Sequence, residues 1–194
     1  MAVWNVELNR TLSAVRDVFC FCCFTGLRYS DVARLRVCDV SEGSIGIVTQ
    51  KTSAPLTIEL NRWSREILQR HAEGRESNDK ALPVFANATI NRFLKIVGEL
   101  AGLDTLITTT YFNGTKRITK TVPKWQLLTF HVARRTFVVQ SLRLGIAPAV
   151  VMKWTGHSDY KAMKPYIAIV DSLKVESMAK FDTLNDTPTK TPTK

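Results

Sequence analysis

The stretch Thr129-Phe130-His131-Val132-Ala133-Arg134-Arg135-Thr136-Phe137, followed by Gly145, Pro148 and Trp154-Thr155-Gly156-His157, decides how this chain is read. Helical periodicity begins after Thr129 and carries Phe137, Leu142 and Leu144 until Gly145 stops it. Pro148 suits the first turn of another helix, Val150 to Trp154, and Gly156 ends that one. His131 and Arg134 are one helical turn apart and share a face. Tyr166, in Lys164-Pro165-Tyr166, stands nine residues beyond His157. Singly, each of these residues has an ordinary explanation, as a helix-terminal imidazole, a helix stop or a phenol packed with its hydroxyl at the surface. The spacing between them holds the information, and it requires the rest of the chain.

Working outward, residues Leu8, Leu12, Val15, Phe19 and Cys22 or Cys23 follow the three-and-four rhythm of an amphipathic helix from Val6 to Phe24, ending near Gly26. Ser30 is expected to cap a second short helix carrying Val32 and Leu35, so the loop Thr25-Gly26-Leu27-Arg28-Tyr29 presents Arg28 at a junction. The period then changes to two. Ile45, Ile47 and Thr49 alternate, as do Leu56, Ile58 and Leu60 after Ser53-Ala54-Pro55, giving a β-hairpin with Lys51 near its tip. Asn61 caps a helix with Trp63, Ile67 and Leu68, a polar break opens at Gly74, and Ile90, Phe93, Leu94, Val97 and Leu100 line the next helix. Residues 105 to 121 are rich in Thr around Asn113-Gly114, the pair favoured in a two-residue hairpin turn. A last helix is expected from Lys164 to Phe181.

At 194 residues the chain is long enough for one substantial core, and 27 Lys and Arg against 17 acidic residues give a formal charge of +10. With an isoelectric point of about 9.7, this is the electrostatic footprint of a nucleic-acid binder. Cys20, Cys22, Cys23 and Cys38 lack zinc spacing and read as small buried hydrophobes in a reducing cytosol. The apolar run around them is too short to span a membrane, and no basic leader precedes it.

Three motifs now resemble the catalytic domain of tyrosine recombinases, particularly integrases of phages and conjugative transposons. They are Thr25-Gly26-Leu27-Arg28-Tyr29-Ser30-Asp31-Val32, then His131-Val132-Ala133-Arg134-Arg135-Thr136-Phe137, then Gly156-His157 with Tyr166 beyond. The 23-residue step from Arg134 to His157 agrees with the family pattern. The resemblance runs from about Leu8 to Phe181 and implies a mainly α fold with small β-hairpins, α+β overall. In two places the chain departs from that pattern. Arg135 stands where many members have His, and Thr155 where Leu often precedes Gly-His.

The resemblance also implies the chemistry. Joining DNA without an external energy source requires a covalent intermediate, so a side-chain oxygen attacks phosphorus, and Tyr166 is the implied nucleophile. With a phenol pKa of about 10, only about one tyrosine in a thousand is ionised near neutral pH, so the site must help. Arg28 and Arg134 would fork onto the non-bridging phosphate oxygens. His131 would assist proton transfer from the tyrosine, His157 would hold a phosphate oxygen, and Lys51 would protonate the departing 5′ oxygen. Asp31 matches an acidic position that orients the basic side chains. No metal or other cofactor is expected, because the arginines supply the positive charge.

The expected organisation is a catalytic domain over residues 1–181 and a disordered Thr/Pro/Lys tail over 182–194, with amino-terminal core-binding and arm-binding domains lacking. The expected function is site-specific cleavage and rejoining of DNA for integration or excision of a mobile element. The expected partners are double-stranded attachment sites and a tetrameric synaptic complex, with a monomer off DNA and no membrane. Lys116, Arg117, Lys120 and Arg135 are candidate contacts to DNA. Such a protein would be cytoplasmic, bacterial or phage-encoded, and associated with the nucleoid. Two alternatives are a type IB topoisomerase that relaxes supercoils and a non-catalytic DNA-binding module.

Overall fold

The computed structural model describes residues 2–51, 53–157, 159–166 and 178. In chain order the elements are α1 (Ala2–Asn5), α2 (Arg10–Thr25), α3 (Tyr29–Val32), β1 (Ser44–Val48), β2 (Pro55–Glu59), α4 (Arg62–Arg70) and α5 (Asn87–Leu100). They continue with β3 (Leu106–Asn113), β4 (Lys116–Pro123), α6 (Phe130–Arg143) and α7 (Pro148–Thr155). The fold is therefore mainly helical, with two separate antiparallel hairpins, β1–β2 and β3–β4.

Helix α2 is the central element because it is apolar on nearly every side. Val15, Val18, Phe21 and Cys22 are fully buried, and α4, α5 and α6 pack around it. An element buried all round cannot be an ordinary surface helix and must be surrounded. The main core joins α2 to Ile45 and Ile58 of the first hairpin, to Ile90, Leu94 and Val97 of α5, and to Phe130 and Ala133 of α6. A smaller cluster of Val138, Leu142, Val151 and Met163 fills the space between α6, α7 and the turn Tyr160–Met163, with Tyr166 packed against it.

Several local expectations hold for the stated physical reason. Asn61 caps α4 by accepting from the amides of Trp63 and Ser64 at 3.1 and 3.0 Å. Gly26 and Gly156 end α2 and α7 in the left-handed region, with φ of 73° and 61°. Pro148 opens α7.

Others are corrected. Helix α2 begins at Arg10 and not Val6, because Asn9 accepts the Leu12 amide and so fixes the start. Ser30 lies inside α3, and Arg28 itself occupies the position before the first turn, without a side-chain cap. The tight turn of the second hairpin is Gly114-Thr115, because Asn113 pairs with Lys116. Gly114 takes φ 60°, which suits the first central position of a two-residue turn. Leu100 and Leu144 are 56% and 78% exposed, since the helical stripe runs past the core at both helix ends. Cys38 is exposed, whereas Cys20 and Cys22 are buried. Of the expected last helix, residues 164–166 are helical and Met178 is helical and exposed. The remainder of that helix and the tail from 182 to 194 lie outside the described residues.

Gly26 is constrained twice, by its positive φ and by Phe137, whose Cδ1 would stand 2.6 Å from an added Cβ. Gly26→Ala is expected to destabilise the fold by about 3 kcal/mol, read as a lower urea midpoint at unchanged slope. Gly46→Ala, where an added Cβ meets nothing within 4 Å, should stay within about 0.5 kcal/mol of the parent.

Candidate active site

Arg134 is 5% exposed, in the interior of α6. Its Nη1 donates to the carbonyl of Gly26 at 2.8 Å. Its Nη2 donates to the carbonyl of Thr155 and lies 3.3 Å from Nε2 of His157. Both carbonyls stand at helix C-termini, where backbone acceptors lack intrahelical partners and the helix dipole is negative. Thr25 and Thr155 are each fully buried, and each hydroxyl bonds back one turn, to Phe21 at 2.8 Å and Val151 at 2.6 Å. Burial, reinforced by nearby Arg28, pulls the Arg134 guanidinium down to about 10, while Asp31 and Tyr166 act the other way. It remains charged at neutral pH.

Arg28, Asp31 and Lys51 are joined by a second set of contacts. Asp31 is 5% exposed and its Oδ1 accepts the backbone amide of Gln50 at 3.0 Å. Its Oδ2 faces Arg28 Nη1 at 3.8 Å, too long for a hydrogen bond. Both atoms are buried without a hydrogen-bonding partner. A buried guanidinium nitrogen with a free donor is a place where an anion gains most. The Gln50 bond ties the β1–β2 turn, with exposed Lys51 in it, to the Arg28 loop. At the other end of this hairpin, Trp154 Nε1 donates to the Glu59 carboxylate, so α7 and β2 are also linked.

A cleft of about 320 Å³ is lined by Arg28, His131, Arg134, Thr129, Asn87 and Asn91, among others. His131 is exposed on its rim. A larger groove of about 490 Å³ runs along Arg75, Lys80 and Phe85 and includes no candidate site residue. Its two cations, Arg75 and Lys80, are accompanied by Asp79 and by no histidine, so size does not decide here. Tyr166 is half-buried on the small apolar cluster and within electrostatic reach of Arg134. His157 feels Arg134, Arg28 and Lys51 together. Burial first, then these three cations, lower its pKa to about 4. Thus Arg28, His131 and Arg134 line one cleft and His157 lies against Arg134, with Lys51 near enough to act on His157 and Tyr166 on Arg134 electrostatically.

Lys116, Arg117 and Lys120 are on the exposed β4 strand, and Arg135 is exposed on α6. None of them lines the cleft.

Three residues here escape a reading of the sequence. Thr129 makes no side-chain cap for α6; Asn91 of α5 does so instead, accepting the Phe130 amide at 2.7 Å. Tyr29 anchors the Arg28 loop by donating to the Phe85 carbonyl at 2.8 Å. Thr155 Oγ1 lies 2.8 Å from His157 Nδ1. Asn91 and Tyr29 act across 39 and 56 residues of chain, beyond any local pattern. Thr155 gave one signal, as a departure from the pattern that the resemblance implies.

The chain matches the Phage integrase family over residues 7–172 and belongs to that family. Its fold is similar to that of the XerA recombinase, at 18% identity and a TM-score of 0.59, covering 91% of this chain and 65% of that one. It is similar to the XerH site-specific recombinase bound to palindromic difH substrate in a post-cleavage complex, at 15% identity and a TM-score of 0.63, covering 93% and 50%. It also resembles a lambda integrase(75-356) dimer bound to a COC′ core site, at 19% identity and a TM-score of 0.57, covering 79% and 52%. The chain thus spans between half and two thirds of these structures. A comparison with curated proteins gives no match. The fold is that of tyrosine-recombinase catalytic domains, and no helix among the described residues is long and apolar enough to cross a membrane.

Two outcomes follow from this geometry. In DNA-free protein, His157 is expected to titrate near pH 4 by NMR. Because that folded value lies below the unfolded value of about 6.5, the unfolded chain takes up the proton first. The stability His157 contributes is then complete above pH 6.5 and is lost as pH falls through 4, which acid-dependent urea titrations would record. Asn91→Ala should cost about 1 kcal/mol through the lost cap, and Asn91→Asp, which keeps the acceptor beside a helix N-terminus, should not.

Proposed function

We propose that this protein is a site-specific DNA recombinase that cleaves and rejoins DNA through a 3′-phosphotyrosyl link, integrating or excising a mobile element. The observation that supports this reading best is the convergence on one cleft of Arg28, with a free buried donor, and Arg134, across 106 residues of sequence. Two guanidinium groups and His131 around a small concave site, with His157 against Arg134, suit a phosphodiester in a pentacoordinate transition state.

In this reading Tyr166 attacks phosphorus and the 5′ oxygen leaves. The Arg134 guanidinium has five N–H groups. Gly26 and Thr155 engage two of them and His157 Nε2 faces a third, so the remaining donors, together with Arg28, bind the non-bridging oxygens. His131, at the cleft rim, assists removal of the tyrosine proton. Lys51 delivers a proton to the 5′ oxygen, and Asp31 sets the position of the Lys51 turn through the Gln50 amide. His157 hydrogen-bonds a phosphate oxygen. The arginines neutralise developing charge directly, and no metal is assigned to the site.

The partner in this proposal is a double-stranded attachment site engaged in a tetrameric synaptic complex. Phosphate contacts from Lys116, Arg117, Lys120 and Arg135 would orient the duplex without reading sequence. The cytoplasm, with the nucleoid as substrate, is the compartment such a reaction needs.

The test is a nicked suicide substrate containing the element's attachment site, incubated with the full-length protein and with Tyr166→Phe. A covalent protein–DNA adduct from the parent alone is the expected result. Absence of any adduct from the parent, or equal cleavage by the variant, would overturn the assignment. Efficient relaxation of plasmids lacking an attachment site would favour a topoisomerase instead.

A further inference from the structure

Thr155 is the last residue of α7, and its side chain is fully buried. Threonine late in a helix tends to return its hydroxyl proton to a carbonyl one turn back. Here Oγ1 lies 2.6 Å from the Val151 carbonyl, a separation at which two oxygens repel unless a proton lies between them. A hydroxyl has one proton and two lone pairs, so the Thr155 proton is committed to Val151. Toward His157 Nδ1, at 2.8 Å, Thr155 can therefore only accept. Nδ1 must hold a hydrogen.

The other ring nitrogen gives an independent constraint. Nε2 of His157 is 3.3 Å from Nη2 of Arg134, and a guanidinium has no acceptor. Neutral imidazole has one donor and one acceptor nitrogen, and both neighbours demand the same assignment. Burial first, and then the nearby cations Arg134 from α6, Arg28 from the start of α3 and Lys51 from the β1–β2 turn, keep the ring neutral.

We infer that Thr155 is a positioning residue that fixes neutral His157 as the Nδ1-protonated tautomer and turns the Nε2 lone pair toward Arg134. His157 then begins as an acceptor of the Arg134 hydrogen bond. It can donate to a phosphate oxygen only after Nε2 takes up a proton from solvent, giving an imidazolium whose Nδ1–H stays on Thr155. An arriving phosphate supplies the negative charge that offsets the three surrounding cations and permits that uptake. A leucine at this position would offer no such acceptor, so the threonine adds a constraint of its own to that from Arg134. Its part in cleavage rests on the recombinase reading; the tautomer does not.

The experiment is ¹⁵N-edited NMR of the imidazole nitrogens in DNA-free full-length protein at neutral pH, assigned with His157→Gln. A pyrrole-type Nδ1 and a pyridine-type Nε2 are expected. The opposite pattern would overturn the inference, whatever the activity. Thr155→Val keeps the shape and removes the acceptor, leaving the ring to the longer 3.3 Å contact with Arg134 alone, and it should admit a fraction of the Nε2-protonated tautomer. Single-turnover cleavage by Thr155→Val should fall about tenfold, the effect of one neutral hydrogen bond, with DNA affinity unchanged, and Thr155→Ser should restore both spectrum and rate. Equal spectra and rates for the parent, Thr155→Val and Thr155→Ser would also overturn it. If the parent forms no covalent adduct, the recombinase reading fails while the spectrum still decides the tautomer.

Discussion

The buried guanidinium of Arg134 is the constraint on which the arrangement depends. A cation taken out of water costs several kcal/mol unless it is hydrogen-bonded on most sides. Here the bonding comes from the carbonyls of Gly26 and Thr155, which are acceptors that α2 and α7 would otherwise leave unused. Each helix ends in a left-handed glycine preceded by a buried threonine that bonds back into the helix. The same Thr-Gly device thus appears twice, on elements far apart in sequence, and Arg134 joins them. Removing the arginine would leave two helix ends and one histidine without their common partner.

Around that centre the site concentrates positive charge. Arg28, Arg134 and Lys51 all depress the protonation of His157, and Arg28 and Arg134 repel one another. Asp31 is the nearest counterweight, but one of its oxygens is given to the Gln50 amide and the other stays 3.8 Å from Arg28. Such a site is electrostatically incomplete until an anion enters. Its rigidity is supplied by bonds that leave the site's cations unengaged: Asn91 on the first turn of α6, Tyr29 on Phe85, and Trp154 on Glu59. These hold the groups in place at no cost to their free donors, which is the meaning of preorganisation.

The second hairpin differs in character from the first. The β1–β2 hairpin is tied into the core through Ile45 and Ile58 and to the site through Gln50. The β3–β4 ribbon has Val122 buried near its base, but Tyr111, Phe112 and its cations are exposed. Across one face, Thr108 meets Thr121 and Thr110 meets Thr119, with hydroxyl separations of 2.9 and 3.2 Å, so cross-strand pairs more than core packing support it.

Much of this protein was legible in the sequence because its determinants are local. Period and punctuation located the helices and hairpins, with Gly26, Gly156, Pro148 and Asn61 acting where they stand. The motif spacings named Arg28, His131, Arg134, His157 and Tyr166 as candidates. Errors fell where two local signals competed, as with Asn9 against the apolar rhythm that begins at Val6, or Gly114-Thr115 against Asn113-Gly114. Tertiary structure alone decided which atoms meet: the carbonyls that clasp Arg134, the α5 asparagine that caps α6, the carboxylate that holds the Lys51 turn and the hydroxyl that sets the histidine. Most of these bonds join residues 19 to 108 positions apart, and the one local bond, Thr155 to His157, takes its meaning from the Arg134 group on the far side of the ring. A hydrogen bond depends on distances of tenths of an ångström, and sequence periodicity determines faces but not such distances.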